Sequence, residues 1–153
     1  MSFWERICSN EVLISAVAGW LVAQILKTLI DFALNESFSA ERLVGSGGMP
    51  SSHSATVCAL TTGAGIRYGV ESFEFAICFI LASVVMYDAI GVRQETGKQA
   101  KLLNLIMEQD FFHLDNEQFQ KRLKEFVGHT PLQVLAGAIL GILIAFLVHM
   151  KYF

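Results

Sequence analysis

The chain has 153 residues, of which 54% are hydrophobic and only 16% are charged, and its formal net charge is −3. Soluble domains average about 25% charged residues, so this composition, with a mean hydropathy of +0.51, indicates an integral membrane protein. The weakly acidic balance, without a cluster of basic and aromatic residues, excludes nucleic acid as a partner. We expect one domain over residues 1–153, because a division would leave neither part a usable core.

The first apolar segment runs from Val12 to Leu34 and is long enough to cross a bilayer, which takes about 20 residues. No basic segment or cleavage motif precedes it, so we expect it to remain as a transmembrane helix. Lys27 and Asp31 lie four residues apart on one face, where they can form a structural ion pair. Ionisable residues inside a span are costly, so function is the default interpretation, and Lys27 lies in the half that leads to the next loop.

A glycine-rich loop ends in the sequence Gly-Gly-Met-Pro-Ser-Ser-His at residues 47–53. Pro50 suits the start of a helix, and either of the two serines that follow suits its N-cap. The N–H groups of such a helix start, the serine hydroxyls and the exposed backbone near Gly48 favour an anion, most often phosphate. The alternative is a capped helix whose His53 faces the lipid headgroups.

Three further membrane helices are predicted, over about residues 52–68, 73–92 and 131–148. Small residues recur every four positions in the first and last of these, a pattern that lets two helices approach closely. They are Ala55, Ala59 and Gly63 in one helix and Gly137, Gly141 and Ala145 in the other. Between the last two helices, apolar residues at helical intervals predict two short amphipathic helices at the membrane interface. The predicted fold is therefore all-α, a polytopic bundle of about four transmembrane helices with interfacial helices between the third and fourth.

Four spans would bring the polar residues at three helix ends to one side of the membrane. That side receives His53, Asp88, Arg93 and His129, with Lys27 and Arg42 close by. Asp88 is interpreted as a structural partner of Arg93 or Lys27. The same side carries most of the Lys and Arg residues outside the spans, which places it in the cytoplasm. We expect an integral protein of the plasma membrane with its site facing the cytoplasm.

Two histidines at helix starts and several cations form a set suited to phosphoryl transfer. Arg93, Arg42 and Lys27 could neutralise the phosphate oxygens as the transition state forms. One neutral imidazole can then attack phosphorus while a second, protonated one delivers a proton to the leaving oxygen. Sequence spacing leaves open whether His129 or His53 is the nucleophile.

Three runs of sequence, at residues 47–55, 87–93 and 128–137, carry a family resemblance. They read GGMPSSHSA, YDAIGVR and GHTPLQVLAG, and they resemble the divergent membrane branch of the type 2 phosphatidic acid phosphatase family, in the expected order and over nearly the whole chain. That family is related to acid phosphatases and vanadium-dependent haloperoxidases. The resemblance implies that His129 forms a phosphohistidine and that His53 is the general acid. It also implies that phosphate is held by Arg93, Lys27, Ser52, the backbone near Gly48 and Arg42.

Gln133 departs from this family pattern, because the divergent branch usually has glutamate there to orient the nucleophilic histidine. Glutamine can hold the ring by a hydrogen bond but cannot offset imidazolium charge. In serine proteases the comparable change lowers kcat by about 10⁴. Another carboxylate, Glu125 or Asp88, could serve His129 instead. A second departure is the long amphipathic segment between Arg93 and His129, which the superfamily usually keeps within one short motif.

Two functions are therefore in competition. One is a lipid-phosphate phosphatase that needs no metal or cofactor, acts at the cytoplasmic face and passes through a phosphohistidine. The other is a catalytically weak or inactive protein that binds lipid phosphate. A transporter is a third class, suggested by charges within spans but disfavoured because no inverted repeat is visible. The expected partners are a phosphorylated lipid, the bilayer and, in a homodimer, a second copy of the chain.

Overall fold

The computed structural model describes residues 2–35, 48–108 and 128–152, and every regular element in these ranges is an α-helix. The helices are α1 (Phe3–Cys8), α2 (Glu11–Asn35), α3 (Ser52–Tyr68), α4 (Phe73–Ile90), α5 (Val92–Glu108) and α6 (Pro131–Tyr152). The all-α prediction is confirmed, and the four predicted membrane helices agree with α2, α3, α4 and α6. Arg42, Glu125 and the second predicted interfacial helix lie outside the described residues.

Three segments are long and apolar enough to cross a membrane, and the protein is integral to the bilayer. They are Glu11–Ala33, Phe73–Ile106 and Pro131–Tyr152. The helix α3 has 17 residues and spans about 26 Å at 1.5 Å per residue, less than the roughly 30 Å of a hydrocarbon core. It packs against α2, α4 and α6. Among α2, α3, α4 and α6, the shortest and least apolar helix is therefore central, and the three longer helices surround it with apolar residues.

Glycines let the main chains of α3 and α6 touch. A Cβ on Gly137 would overlap the carbonyl oxygen of Ser51, and one on Gly141 would overlap that of Ala55. The predicted close pair is confirmed. A third helix joins it, because a Cβ on Gly19 of α2 would lie 3.0 Å from the Ala55 oxygen. The small-residue stripes are thus used within the chain, and the homodimer stays a prediction.

The helix α5 continues α4 after a break at Gly91, whose N–H donates to the carbonyl of Tyr87. The sequence predicts two short helices beyond residue 92, and the first of them is α5, a single helix of 17 residues. On the inner side, α4 packs on α3 through Cys58 and Ala82. The hydroxyl of Thr61 also donates to the carbonyl of Cys78 at 3.0 Å, so one hydrogen bond crosses this apolar interface.

Two main-chain hydrogen bonds join separate parts of the chain at one end of the bundle. The Ser51 N–H donates to the carbonyl of Gln133, and the His129 N–H donates to that of Ala89, each at 3.1 Å. Gly128 has φ +143°, and a Cβ there would lie only 2.6 Å from the main-chain nitrogen of Gln94. The first residues of α3, α5 and α6 are therefore gathered at one place.

Candidate functional site

Two histidine rings face each other where these helices begin. Their centroids are 6.4 Å apart and their planes are inclined by 53°. His53 lies in the first turn of α3 and is exposed, whereas His129 precedes α6 and is only 5% exposed. The structure thus brings together the two imidazoles that the sequence singled out. This separation is short enough for one phosphate to contact a nitrogen of each ring.

The Gln133 side chain is held in a fixed direction by the cap of α6. Its Oε1 accepts a hydrogen bond from the Thr130 N–H at 3.1 Å, while the Gln133 N–H donates to Thr130 Oγ1 at 3.3 Å. These reciprocal bonds form a capping box. The same Oε1 lies 3.2 Å from Nδ1 of His129. Because the Thr130 N–H can only donate, the oxygen of the amide must be the atom that faces the histidine.

This orientation fixes the tautomer of His129. An amide oxygen cannot donate, so Nδ1 must carry the proton in the bond to Gln133. The lone pair of the neutral ring is then on Nε2, the atom left free of this bond. Gln133 therefore leaves the lone pair of His129 on Nε2, the nitrogen that a nucleophilic histidine in this position would use.

Two cations approach the histidine pair from other helices. Lys27 on α2 is 4% exposed, and a Cβ on Gly48 would lie 3.1 Å from its Cγ and Cδ atoms. Gly48 has φ +83°, so glycine both suits the backbone there and makes room for the lysine. Arg93, near the start of α5, pairs through Nε with Oδ2 of Asp88 at 2.6 Å. That bond leaves the terminal nitrogens of the guanidinium available for an anion.

The surroundings of His129 favour its neutral form. Burial lowers the pKa of His129, the hydrogen bond with Gln133 raises it, and the charges of His53, Lys27 and Arg93 lower it further. A histidine with a lowered pKa is unprotonated over a wider range of pH than a free one. A nucleophile needs this state, because only the neutral ring has a lone pair to offer.

Two helix starts add to the positive potential of the site. The N-terminus of a helix carries roughly half a positive charge, and α3 and α6 begin here, whereas the start of α5 directly follows the negative end of α4. Ser51 caps α3 by accepting from the Ser54 N–H and hydroxyl, at 3.4 Å and 3.0 Å. Buried Ser52 is the first residue of the helix proper. An anion at this point would face the starts of α3 and α6 as well as two side-chain cations.

The structure brings most of the predicted site residues together. The pair His53 and His129 is surrounded by Gln133, Arg93, Lys27, Gly48 and Ser52, and Asp88 is attached through Arg93. Asp31 is half-buried one turn beyond Lys27 on α2. Within the described ranges, no group of three or more His, Cys, Asp or Glu side chains could hold a metal ion.

Several residues that hold this site in shape were not predicted from the sequence. Thr130, Ala89 and Gly128 act through their main chains or caps, and Ser51, predicted only as a possible N-cap, also donates its N–H to Gln133. One signal was available, because Thr130-Pro131-Leu132-Gln133 matches the Thr-x-x-Gln pattern of a capping box before an apolar run. Main-chain bonds between distant segments, such as His129 to Ala89, leave no such signal.

Comparison with known proteins gives one family and one relative. The model of the Divergent PAP2 family matches residues 8–144. The uncharacterized membrane protein YuiD of Bacillus subtilis is 36% identical over 148 residues, which cover 91% of this chain and 94% of that protein. No solved structure matches the chain significantly.

Proposed function

The chain belongs to the Divergent PAP2 family, and on this basis we propose that it is a membrane phosphatase that hydrolyses a lipid phosphate. The observation that carries the proposal is the pair of neighbouring imidazoles, His53 and His129, beside two cations and the starts of α3 and α6. Such a site supplies a nucleophile, an acid and charge neutralisation, the three requirements of metal-independent phosphoryl transfer.

In the first step, Nε2 of His129 attacks phosphorus and the bond to the lipid oxygen breaks. Protonated His53 gives its proton to that oxygen, so the lipid alcohol leaves neutral. In the second step, neutral His53 takes a proton from water, the water oxygen bonds to phosphorus, and the nitrogen–phosphorus bond breaks. Inorganic phosphate is released, and both histidines return to their starting states.

We assign stabilisation of the phosphate charge to Arg93 and Lys27. The N–H groups at the start of α3 are further hydrogen-bond donors to the phosphate. The guanidinium suits two phosphate oxygens because it is planar and forked. Its pairing with Asp88 through Nε holds it in one direction before substrate arrives. Ser52, the backbone near Gly48 and Arg42 complete the proposed phosphate site, although Arg42 is outside the described residues.

We place the protein in the plasma membrane with this site towards the cytoplasm. The support is the excess of Lys and Arg outside the spans on the side of the site, which is the distribution that sets cytoplasmic orientation. The phosphate of a bilayer lipid would then meet the histidines from the inner leaflet.

A second candidate is a protein that binds lipid phosphate without hydrolysing it. Gln133 favours it, because the bond at 3.2 Å to His129 is made by a neutral oxygen, which stabilises an imidazolium less than a carboxylate would. The two functions share the phosphate site and differ in turnover alone.

Phosphate release by purified protein separates them. Protein in detergent or liposomes is incubated with phosphatidic acid, phosphatidylglycerophosphate or a prenyl diphosphate in the presence of EDTA. We expect release that is abolished in His129→Ala, with Ile142→Val on the outer face of α6 as a matched control. Unchanged turnover in His129→Ala contradicts the mechanism, and lipid binding without release by the wild type establishes the second candidate.

A further inference from the structure

One face of α3 is left uncovered by the helices that pack around it. Ala55 contacts α2 and α6 near Gly19 and Gly141, while Cys58 and Thr61 contact α4. Among the described residues, α2 and α4 do not contact each other. A gap therefore lies between these two helices, and α3 forms its floor.

The floor of this gap begins at the proposed general acid. His53, Thr56 and Leu60 follow one another at spacings of three and four residues and so share a face of α3. His53 is exposed, and the other two are half-buried. The seven steps from His53 to Leu60 extend roughly 10 Å along the helix. The gap thus leads from the site into the depth at which acyl chains lie.

The surface of the floor is apolar in spite of its threonine. The hydroxyl of Thr56 donates to the carbonyl of Ser52 at 2.7 Å, which turns the polar atom to the helix backbone. Leu60 presents hydrocarbon alone. The walls, α2 and α4, both belong to segments able to span a membrane, so we expect the gap between these described helices to face acyl chains rather than water.

We propose that this gap, lined by Thr56 and Leu60 between α2 and α4, seats an acyl chain of the lipid whose phosphate binds between the histidines. The proposal rests on the proposed function and adds that the substrate enters sideways from the bilayer. A bilayer is as apolar as leucine, so the gap gives no hydrophobic gain. Its role is to orient the bound lipid, so that the phosphorus atom lies next to His129.

Chain-length dependence tests this placement. Rates with dioleoyl and dihexanoyl phosphatidic acid are compared within each preparation, so the ratio is independent of how much protein is folded. Leu60→Trp fills the gap, and because small misplacements near a reacting centre cost up to a hundredfold, we expect the dioleoyl-to-dihexanoyl ratio to fall at least about tenfold. The ratio for Leu60→Phe should lie between those of the wild type and Leu60→Trp. The Ile80 side chain is 63% exposed on the outer side of α4, so Ile80→Trp should leave the ratio unchanged. An unchanged ratio in Leu60→Trp overturns the proposal.

A binding measurement keeps the test valid if no lipid is hydrolysed. Benzoylphenylalanine is introduced at position 60 or 80, and the protein is irradiated in vesicles of dioleoyl phosphatidylcholine with dioleoyl phosphatidic acid as the minor lipid. Adducts at position 60 enriched in phosphatidic acid, with adducts at position 80 following vesicle composition, support the gap even without turnover. Adducts at position 60 that also follow vesicle composition refute it.

Discussion

Gln133→Glu is the substitution that most directly tests how His129 is activated. Glutamate has the same length and also serves in a capping box, so the bonds with Thr130 are kept. The change adds one negative charge at a distance of about 3.2 Å from Nδ1 of His129. The substitution therefore changes the charge beside His129 while it keeps the orientation of the ring.

The size of the effect follows from the hydrogen bond. A neutral bond contributes about 0.5–1.5 kcal/mol and a bond to a charged group about 1.5–3 kcal/mol. The attack at phosphorus makes the His129 ring positive, so glutamate gains roughly 1.5 kcal/mol in the transition state, or about tenfold in kcat. The protease effect of about 10⁴ includes a wrong tautomer. Here the cap of α6 already selects the right one, so the gain is smaller.

The pH profile provides a second readout. The rate on the acid side rises as His129 loses its proton, and burial lowers the pKa of His129 in the natural protein. A carboxylate at position 133 favours the imidazolium and raises this pKa. The acid limb of the kcat profile should therefore move to higher pH in Gln133→Glu while the plateau rises.

Gln133→Leu is the matched control, because it removes both charge and the hydrogen-bond acceptor. We expect it to lose at least about a hundredfold in kcat, since Nδ1 and the Thr130 N–H both lose their partner. Phosphate release is measured from pH 4 to pH 9 for the three proteins, with folding checked by thermal unfolding in detergent. Full activity in Gln133→Leu, or an acid limb that stays in place in Gln133→Glu, would refute the role given to Gln133.

Three other substitutions test separate parts of the molecule. Arg93→Ala should raise KM for lipid phosphate and weaken inhibition by vanadate, each about thirtyfold for a lost charged hydrogen bond of roughly 2 kcal/mol; equal vanadate inhibition would remove Arg93 from the site. His53→Ala should slow both steps and allow radiolabelled, acid-labile phosphate to collect on His129, and its absence under single-turnover conditions would exclude a histidine intermediate. Gly141→Val should destabilise the bundle by about 2–3 kcal/mol through overpacking, lowering the unfolding midpoint, whereas Ile142→Val should have little effect.

The membrane helices could be predicted well because their signals are local. The apolar run after Glu11, Pro50 before α3 and Pro131 at the start of α6 each mark a boundary through one residue type. The packing of α3 with α6 was also readable, since small residues at four-residue spacing have few other uses in a span. The approach of Gly19 to Ala55 was missed, although Ser15, Gly19 and Ala23 repeat small residues at the same four-residue spacing.

The site was predictable in content and not in geometry. Histidines and cations in a membrane protein stand out because each is costly there. Their meeting depends on the bonds of Ser51 to Gln133 and of His129 to Ala89, which join main-chain atoms from distant segments. A main-chain donor is present at almost every residue, so sequence cannot say which one is used.

Gln133 illustrates why a residue type alone is a poor guide to activity. From the sequence, an amide in place of an acid suggests the wrong tautomer and an idle histidine. In the structure, the hydrogen bond from the Thr130 N–H fixes the orientation of the Gln133 amide. The amide oxygen therefore faces Nδ1 of His129, and the lone pair of the ring is on Nε2. The ring is oriented as an acid would orient it, and only the charge is missing. Since Lys27 and Arg93 already oppose a positive His129, a neutral partner keeps the ring unprotonated at lower pH, at the cost of a slower attack.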